Sequence, residues 1–181
     1  MINILSKNGG EKMRYSSKWK MWKAILDFKI CLNCRKNHGK IYEINEFVYP
    51  EPPLHPNCRC EIERLRVLLA GTATNDGIEG ADLHLKLYGK LPSYYISKEV
   101  AEQLGYKSYL GNLSRVAPNK MLFKGFYENR DGHLPSAPGR IWYEADINYE
   151  VGYRGTERIL FSNDGLIFVT YDHYHTFVEI E

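Results

Sequence analysis

The chain is 181 residues long, with 44% hydrophobic, 25% charged and 13% aromatic residues, which excludes a disordered chain and leaves one ordinary domain or two small ones. No apolar run reaches the ~18 residues of a membrane span, and the opening MINILSKNGGEKMRYSSKWKMWK lacks the apolar stretch of a signal peptide, so neither membrane contact nor secretion by the general route is expected. The net charge of +2 divides unevenly, because residues 1–74 carry 13 Lys+Arg against 7 Asp+Glu and residues 75–181 carry 11 against 15, giving +6 and −4.

In chain order, residues 14–28 place Trp19, Trp22, Ile25 and Leu26 at helical spacing behind Ser16 and Ser17, which predicts a short amphipathic helix. A strand is expected at 40–44, and Pro50, Pro52, Pro53 and Pro56 predict loops after it. The polar GTATNDG at 71–77 reads as a linker between a Cys-rich segment (1–70) and a second domain (78–181). Beyond it, ADLHLKLYGK and SKEVAEQLGY predict helices, the second capped by Ser97 and stopped at Gly105, and a further helix fits 111–116. From Gly139 onward the period changes to two, through GRIWYEADINYEV, RILFS, LIFVTYD and TFVEIE, with a turn at Asn163-Asp164-Gly165. Helices followed by such strands predict an α+β fold, N-terminal helices packed on an antiparallel β-sheet.

Within the first of these strands, alternation puts Trp142, Glu144, Asp146 and Asn148 on one face and Ile141, Tyr143, Ala145, Ile147 and Tyr149 on the other. A glutamate, two arginines at 154 and 158 and a histidine at 173 are, taken singly, ordinary surface residues. Their order and surroundings, however, resemble a known family. KLPSYYISKEVAEQLGY, GNLSRVAPNK, ENRDGHLP, GRIWYEADINYEVGYRGTERILFS and TYDHYHTF look like the barnase-like microbial ribonucleases, guanyl-preferring enzymes, over essentially all of 78–181. The resemblance implies cleavage of single-stranded RNA 3′ of guanosine to a 2′,3′-cyclic phosphate, without a metal. It implies Glu144 as general base and His173 as general acid, Lys98, Arg154 and Arg158 as phosphate-stabilising cations, and Tyr174 as a phosphate donor. The guanine would be held by Tyr127, Asn129, Arg130 and Asp131. The chain departs from the family at Asp131 (glutamate there), Gly125 (aspartate), Gly89 (histidine) and Gly165 (tryptophan). An acidic inhibitor of the barstar kind is the partner that the family implies.

All four cysteines fall in the first segment, as the pairs Cys31/Cys34 and Cys58/Cys60, with His38 and His55 nearby. Such a cluster in a reducing compartment suits a structural zinc, with His38 or His55 as alternates to a thiolate. Cys31, Cys34, Gly39-Lys40 and the run PLHPNCRC also resemble phage Mu-type head morphogenesis proteins, minor capsid components. That implies a phage or prophage setting and a phage particle or carrier as partner, while the missing signal peptide leaves location open among the cytoplasm, a virion and export by a non-standard route. Three functions stay open on these residues: an RNA-cleaving toxin or effector, a phage head interaction protein with an inactive barnase-like fold, and a zinc-dependent DNA-binding module.

Overall fold

In the computed structural model, which describes residues 13–181, branched and aromatic residues in alternation lay down nine strands. They are β1 (Arg14–Lys23), β2 (Ile41–Glu43), β3 (Glu61–Leu68), β4 (Tyr95–Ser97), β5 (Met121–Tyr127), β6 (Trp142–Asp146), β7 (Arg158–Ser162), β8 (Ile167–Thr170) and β9 (Val178–Ile180). All belong to one sheet in the order β2-β1-β3-β9-β8-β7-β6-β5-β4. Helices are short: α1 (Leu32–Asn37), α2 (Ala81–Tyr88), α3 (Lys98–Gln103) and α4 (Leu113–Val116), none of them long and apolar enough to cross a membrane.

The fold is α+β, but the sheet is mixed where an antiparallel one was expected. β3 pairs with β9 and β4 with β5 in parallel, and the remaining pairings are antiparallel. Parallel neighbours need a long crossover rather than a hairpin. Residues 98–120, carrying α3 and α4, supply one, and the whole stretch from α2 to β8 supplies the other.

The expected helix at 14–28 is instead β1. Trp19 and Met21 enter one core while Trp22, 1% exposed, turns to the opposite face, and Ile25 and Leu26 are 53% and 44% exposed. A β-bulge breaks the register between Tyr15 and Lys20, where the Ser16 hydroxyl accepts from the amides of Lys18 and Trp19. The helix-like spacing arises because both faces of β1 are covered, so Trp19 and Trp22 are each buried on a different side, while Ile25 and Leu26 lie past the strand's end at Lys23. Ser97 caps α3 as expected, its hydroxyl accepting from the Val100 amide at 3.3 Å.

Two apolar layers cover the sheet. On one face Ala81 and Leu85 of α2 pack on Ala145, Ile159, Val169 and Val178. On the other, Trp142, Leu160 and Phe168 meet Trp19, Met21, Ile41 and Leu65 from the cysteine-rich segment, so the first segment extends the sheet and closes its second face. The 71–77 stretch is a set of turns held in place by Asp82, fully buried, whose carboxylate accepts from the amides of Gly71 and Ala73 at 2.8 and 2.9 Å.

Candidate active site

β6 and β7 pair so that Glu144 lies opposite Leu160 and Asp146 opposite Arg158. Directly opposed residues share a face, so both carboxylates and Arg158 project together beside the Trp142–Phe168 layer. Glu144 and Asp146 are each 1% exposed. A buried carboxylate persists only with partners, and these have several. The Tyr174 hydroxyl donates to Glu144 Oε1 at 2.8 Å. Lys124 Nζ stands 3.1 Å from both Glu144 oxygens. Arg158 Nε is 3.5 Å and an Arg154 terminal nitrogen 3.9 Å from Glu144 Oε1. Arg154 also grips Asp146 with two bonds of 2.6 and 2.5 Å. Burial pulls the Arg154 guanidinium down, but the bonds and charge of Asp146 outweigh it and hold it above the ordinary arginine range. Arg158 Nε is buried without a well-aligned acceptor, although Asp146 Oδ1 lies 3.3 Å away. A cation so placed keeps capacity for an incoming anion.

His173 and Tyr174 sit on the 171–176 loop between β8 and β9, both at positive φ (58° and 70°). Asp172 holds that loop: its Oδ1 accepts from the Thr176 amide at 2.8 Å and the Thr170 hydroxyl at 3.0 Å, while Thr170 Oγ1 accepts from the Tyr174 amide at 2.9 Å. The loop thus plants Tyr174 on Glu144 and leaves His173 exposed beside it, their rings 4.8 Å apart. Burial first, then the Glu144 charge, pushes the Tyr174 phenol far above its usual range, so it stays a donor. Tyr127 stacks on Tyr174 at 5.7 Å, and burial raises its phenol to about 12.

Of the sequence-predicted residues, Glu144, Arg154, Arg158 and Tyr174 converge, with Tyr127 stacked alongside. Lys98, at the start of α3, instead pairs with Glu102 at 3.6 Å and is half exposed. Asn129 spends its side chain inside its own loop, bonded to the Leu134 amide and carbonyl at 3.0 and 2.8 Å, and so shapes the loop. Arg130 is largely exposed, paired with Glu128, and Asp131 is exposed. Sequence reasoning did not assign roles to Asp146 or Lys124. Asp146 was readable, two residues from Glu144 on the same face. Lys124 was not: β5 carries a bulge in which Phe123 opposes Ala145 and Gly125 opposes Glu144, with Gly125 at φ 89°, and the extra residue, Lys124, is turned onto the carboxylate.

In the first segment, Cys31, Cys34 and His55 form one group of metal-competent donors and Cys34, Cys58 and Cys60 another. Cys34 Sγ is 3.6 Å from Cys58 Sγ and 3.5 Å from His55 Nε2. Thiolates at ~2.3 Å from a tetrahedral zinc stand about 3.8 Å apart, so the donor set fits that ion. His55 Nδ1 lies 2.9 Å from the Pro56 carbonyl, a contact that leaves Nε2 free to ligate. His38 is outside both groups, and its Nδ1 is engaged as acceptor from the Ala24 amide at 3.0 Å.

Compared with known proteins, residues 81–181 match the family model for ribonuclease, and residues 6–63 match that for Phage Mu protein F like protein. A ribonuclease of Bacillus intermedius is 42% identical over 142 residues, covering 76% of this chain and 86% of the relative. A Bacillus pumilus ribonuclease is 48% identical over 112 residues (62% and 67%), and one from Heyndrickxia coagulans 49% over 107 residues (59% and 95%).

Proposed function

Because the chain belongs to the ribonuclease family, we propose that it is a guanyl-preferring endoribonuclease that cuts single-stranded RNA by transesterification to a 2′,3′-cyclic phosphate. RNA carries its own nucleophile, the ribose 2′-hydroxyl. Glu144 takes that proton as the oxygen attacks the adjacent phosphorus, and His173 protonates the departing 5′-oxygen; each transfer is typically worth ~10²–10⁴ in rate. The extra negative charge that develops on phosphate meets Arg154 and Arg158, with Tyr174 as hydrogen-bond donor; Lys98, paired with Glu102 in the free chain, joins them by exchanging that carboxylate for the phosphate. Arg154 is already oriented by Asp146, so little reorganisation is required at the moment of reaction. Arg130, Asp131 and the backbone of the 127–131 loop address the guanine edge, which an unpaired base leaves open. The observation that carries the reading is a buried carboxylate, Glu144, held among Lys124, Arg154, Arg158 and Tyr174. Two hydrogen-bond donors, Lys124 and Tyr174, and two further cations within 4 Å thus converge on one buried carboxylate.

Zinc, held by Cys31, Cys34, Cys58 and Cys60 or by three of these with His55, serves structure in this reading. Cross-linking α1 to the proline-rich loop would stabilise a segment too small to build a core of its own. The match of residues 6–63 to the phage family supports a phage- or prophage-associated toxin or effector carried by that segment, with a phage particle or carrier and an acidic barstar-like inhibitor as partners. A small protein presenting carboxylates to Arg130, Arg154, Arg158 and His173 suits that site.

Cleavage of short RNAs that differ only in one guanosine, with a chelator present, tests the reading. The parent chain is expected to cut after guanosine through a cyclic phosphate, and Glu144→Ala and His173→Ala to lose at least ~10² in rate. Intact, folded parent chain that leaves every RNA uncut would favour the second reading, a phage head interaction protein with an inactive nuclease fold.

A further inference from the structure

Next to the active site lies a cleft of about 870 Å³ that two parts of the chain enclose together. Asp131 of the base-recognition loop and Tyr174 of the general-acid loop form one wall; Phe28, Arg35, Lys36 and Lys40 of the cysteine-rich segment form the other. These walls are joined by backbone contact. The Ile41 amide donates to the His133 carbonyl at 2.8 Å, and a Cβ on Gly39 would come within 2.8 Å of the His175 carbonyl oxygen.

The charges in the cleft are largely unspent. Arg35 and Lys36 are exposed, and none of the three cations has a carboxylate partner among the described residues; Lys40 makes only a hydrogen bond to Asn37, at 3.0 Å. Asp27, which also borders the cleft, is neutralised by two bonds from Arg59 of 2.8 and 2.7 Å, bonds that hold its carboxyl down to about 2. Phe28 is 90% exposed with Lys29 Nζ 5.5 Å from its ring centroid. Cations interleaved with an open aromatic face are the elements of a single-strand platform, stacking bases while they track the backbone. Residues 75–181 carry −4 and cannot gather RNA by a broad field, whereas residues 1–74 carry +6.

The geometry points to a second RNA subsite: the cleft takes the phosphates of nucleotides flanking the cleaved one, on Arg35, Lys36 and Lys40, with Phe28 as a stacking surface. This rests on the ribonuclease reading and extends it, since the cysteine-rich segment becomes part of the substrate-binding surface.

The test measures binding to the full chain carrying His173→Ala, so that RNA is not consumed. Its probes are an octaribonucleotide with one central guanosine and the dinucleotide GpU. Adding Arg35→Ala, Lys36→Ala and Lys40→Ala is expected to weaken the octamer at least tenfold. The slope of log affinity against log salt should become shallower by about 2, with GpU unchanged within twofold. Arg35→Gln with Lys36→Gln, both on the exposed side of α1, gives the same pattern at smaller size if Lys40 proves necessary for folding. An unchanged octamer affinity overturns the subsite and leaves those cations to a protein partner; equal losses for octamer and GpU overturn it too, as damage to the main site. Turnover of GpU by the chain with His173 intact reports separately on the ribonuclease reading.

Discussion

Asp146 binds Arg154 through both carboxylate oxygens and lies 3.3 Å from Arg158 Nε, at 1% exposure. Removing one partner of a buried ion pair leaves the other charge uncompensated, a loss of about 3 kcal/mol or more. Asp146→Asn is therefore expected to lower the urea-unfolding stability by about 3 kcal/mol and to reduce kcat/KM, because Arg154, the proposed phosphate cation, loses the carboxylate that orients it. A loss under about 1 kcal/mol, the scale of an exposed pair, would contradict the buried-pair account. Much of this constellation was legible in the sequence: period-two alternation set Glu144 and Asp146 on one face, and the family resemblance pointed to Arg154, Arg158 and Tyr174. Lys124 was hidden because its direction depends on a bulge, a feature of the pairing between β5 and β6 rather than of either strand. Lys98 and Asn129 lie in readable sequence positions, yet one is paired with Glu102 and the other engaged with Leu134.

Among the elements, the 171–176 loop depends on a neighbour far away in sequence. Gly39 has φ 83°, and a Cβ there would strike the His175 carbonyl. Gly39→Ala thus combines a backbone strain of about 1–3 kcal/mol with displacement of the loop that bears His173. Gly89→Ala, at φ 65° with open space around it, supplies the strain alone at the end of α2. Both variants are expected to lose stability, and only Gly39→Ala to lose kcat, about tenfold if misplacement of His173, the proposed acid, adds ~1.4 kcal/mol to the barrier; equal kcat values would sever the loop from Gly39. The cysteine groups make a second prediction. The purified chain should hold about one zinc, and strong chelation should lower its melting temperature while GpU turnover persists below that temperature. A metal-free chain with the melting temperature unmoved by zinc rules the centre out. The helices after residue 78 and the last four strands were readable from caps, turn residues and alternation. β1 was misread because it is covered on both faces, so buried Trp19 and Trp22 three residues apart mimic one helical face.

At the scale of the whole molecule, the composition showed a basic first part and an acidic second part, but not that they share a sheet. β3 pairs with β9 across more than half the chain length, and no local pattern announces a pairing at that separation. The expected boundary at 71–77 falls where Asp82 fixes the backbone, and apolar contact continues past it: Leu65, 1% exposed, lies in the same layer as Trp142, Leu160, Phe168 and Phe177. A shared layer of this kind couples the two segments in unfolding. Leu65→Ala deletes buried methyl groups at the centre of that coupling, a change that typically costs about 2–5 kcal/mol. The expected outcome is a single unfolding transition, moved to lower denaturant without a change in slope, with ribonuclease activity lost over the same range. Two transitions, with the activity-bearing one unmoved by Leu65→Ala, would mean that the catalytic segment stands alone. In that case the cleft between the segments would open without unfolding the enzyme, and its cations could engage RNA only when the two parts dock.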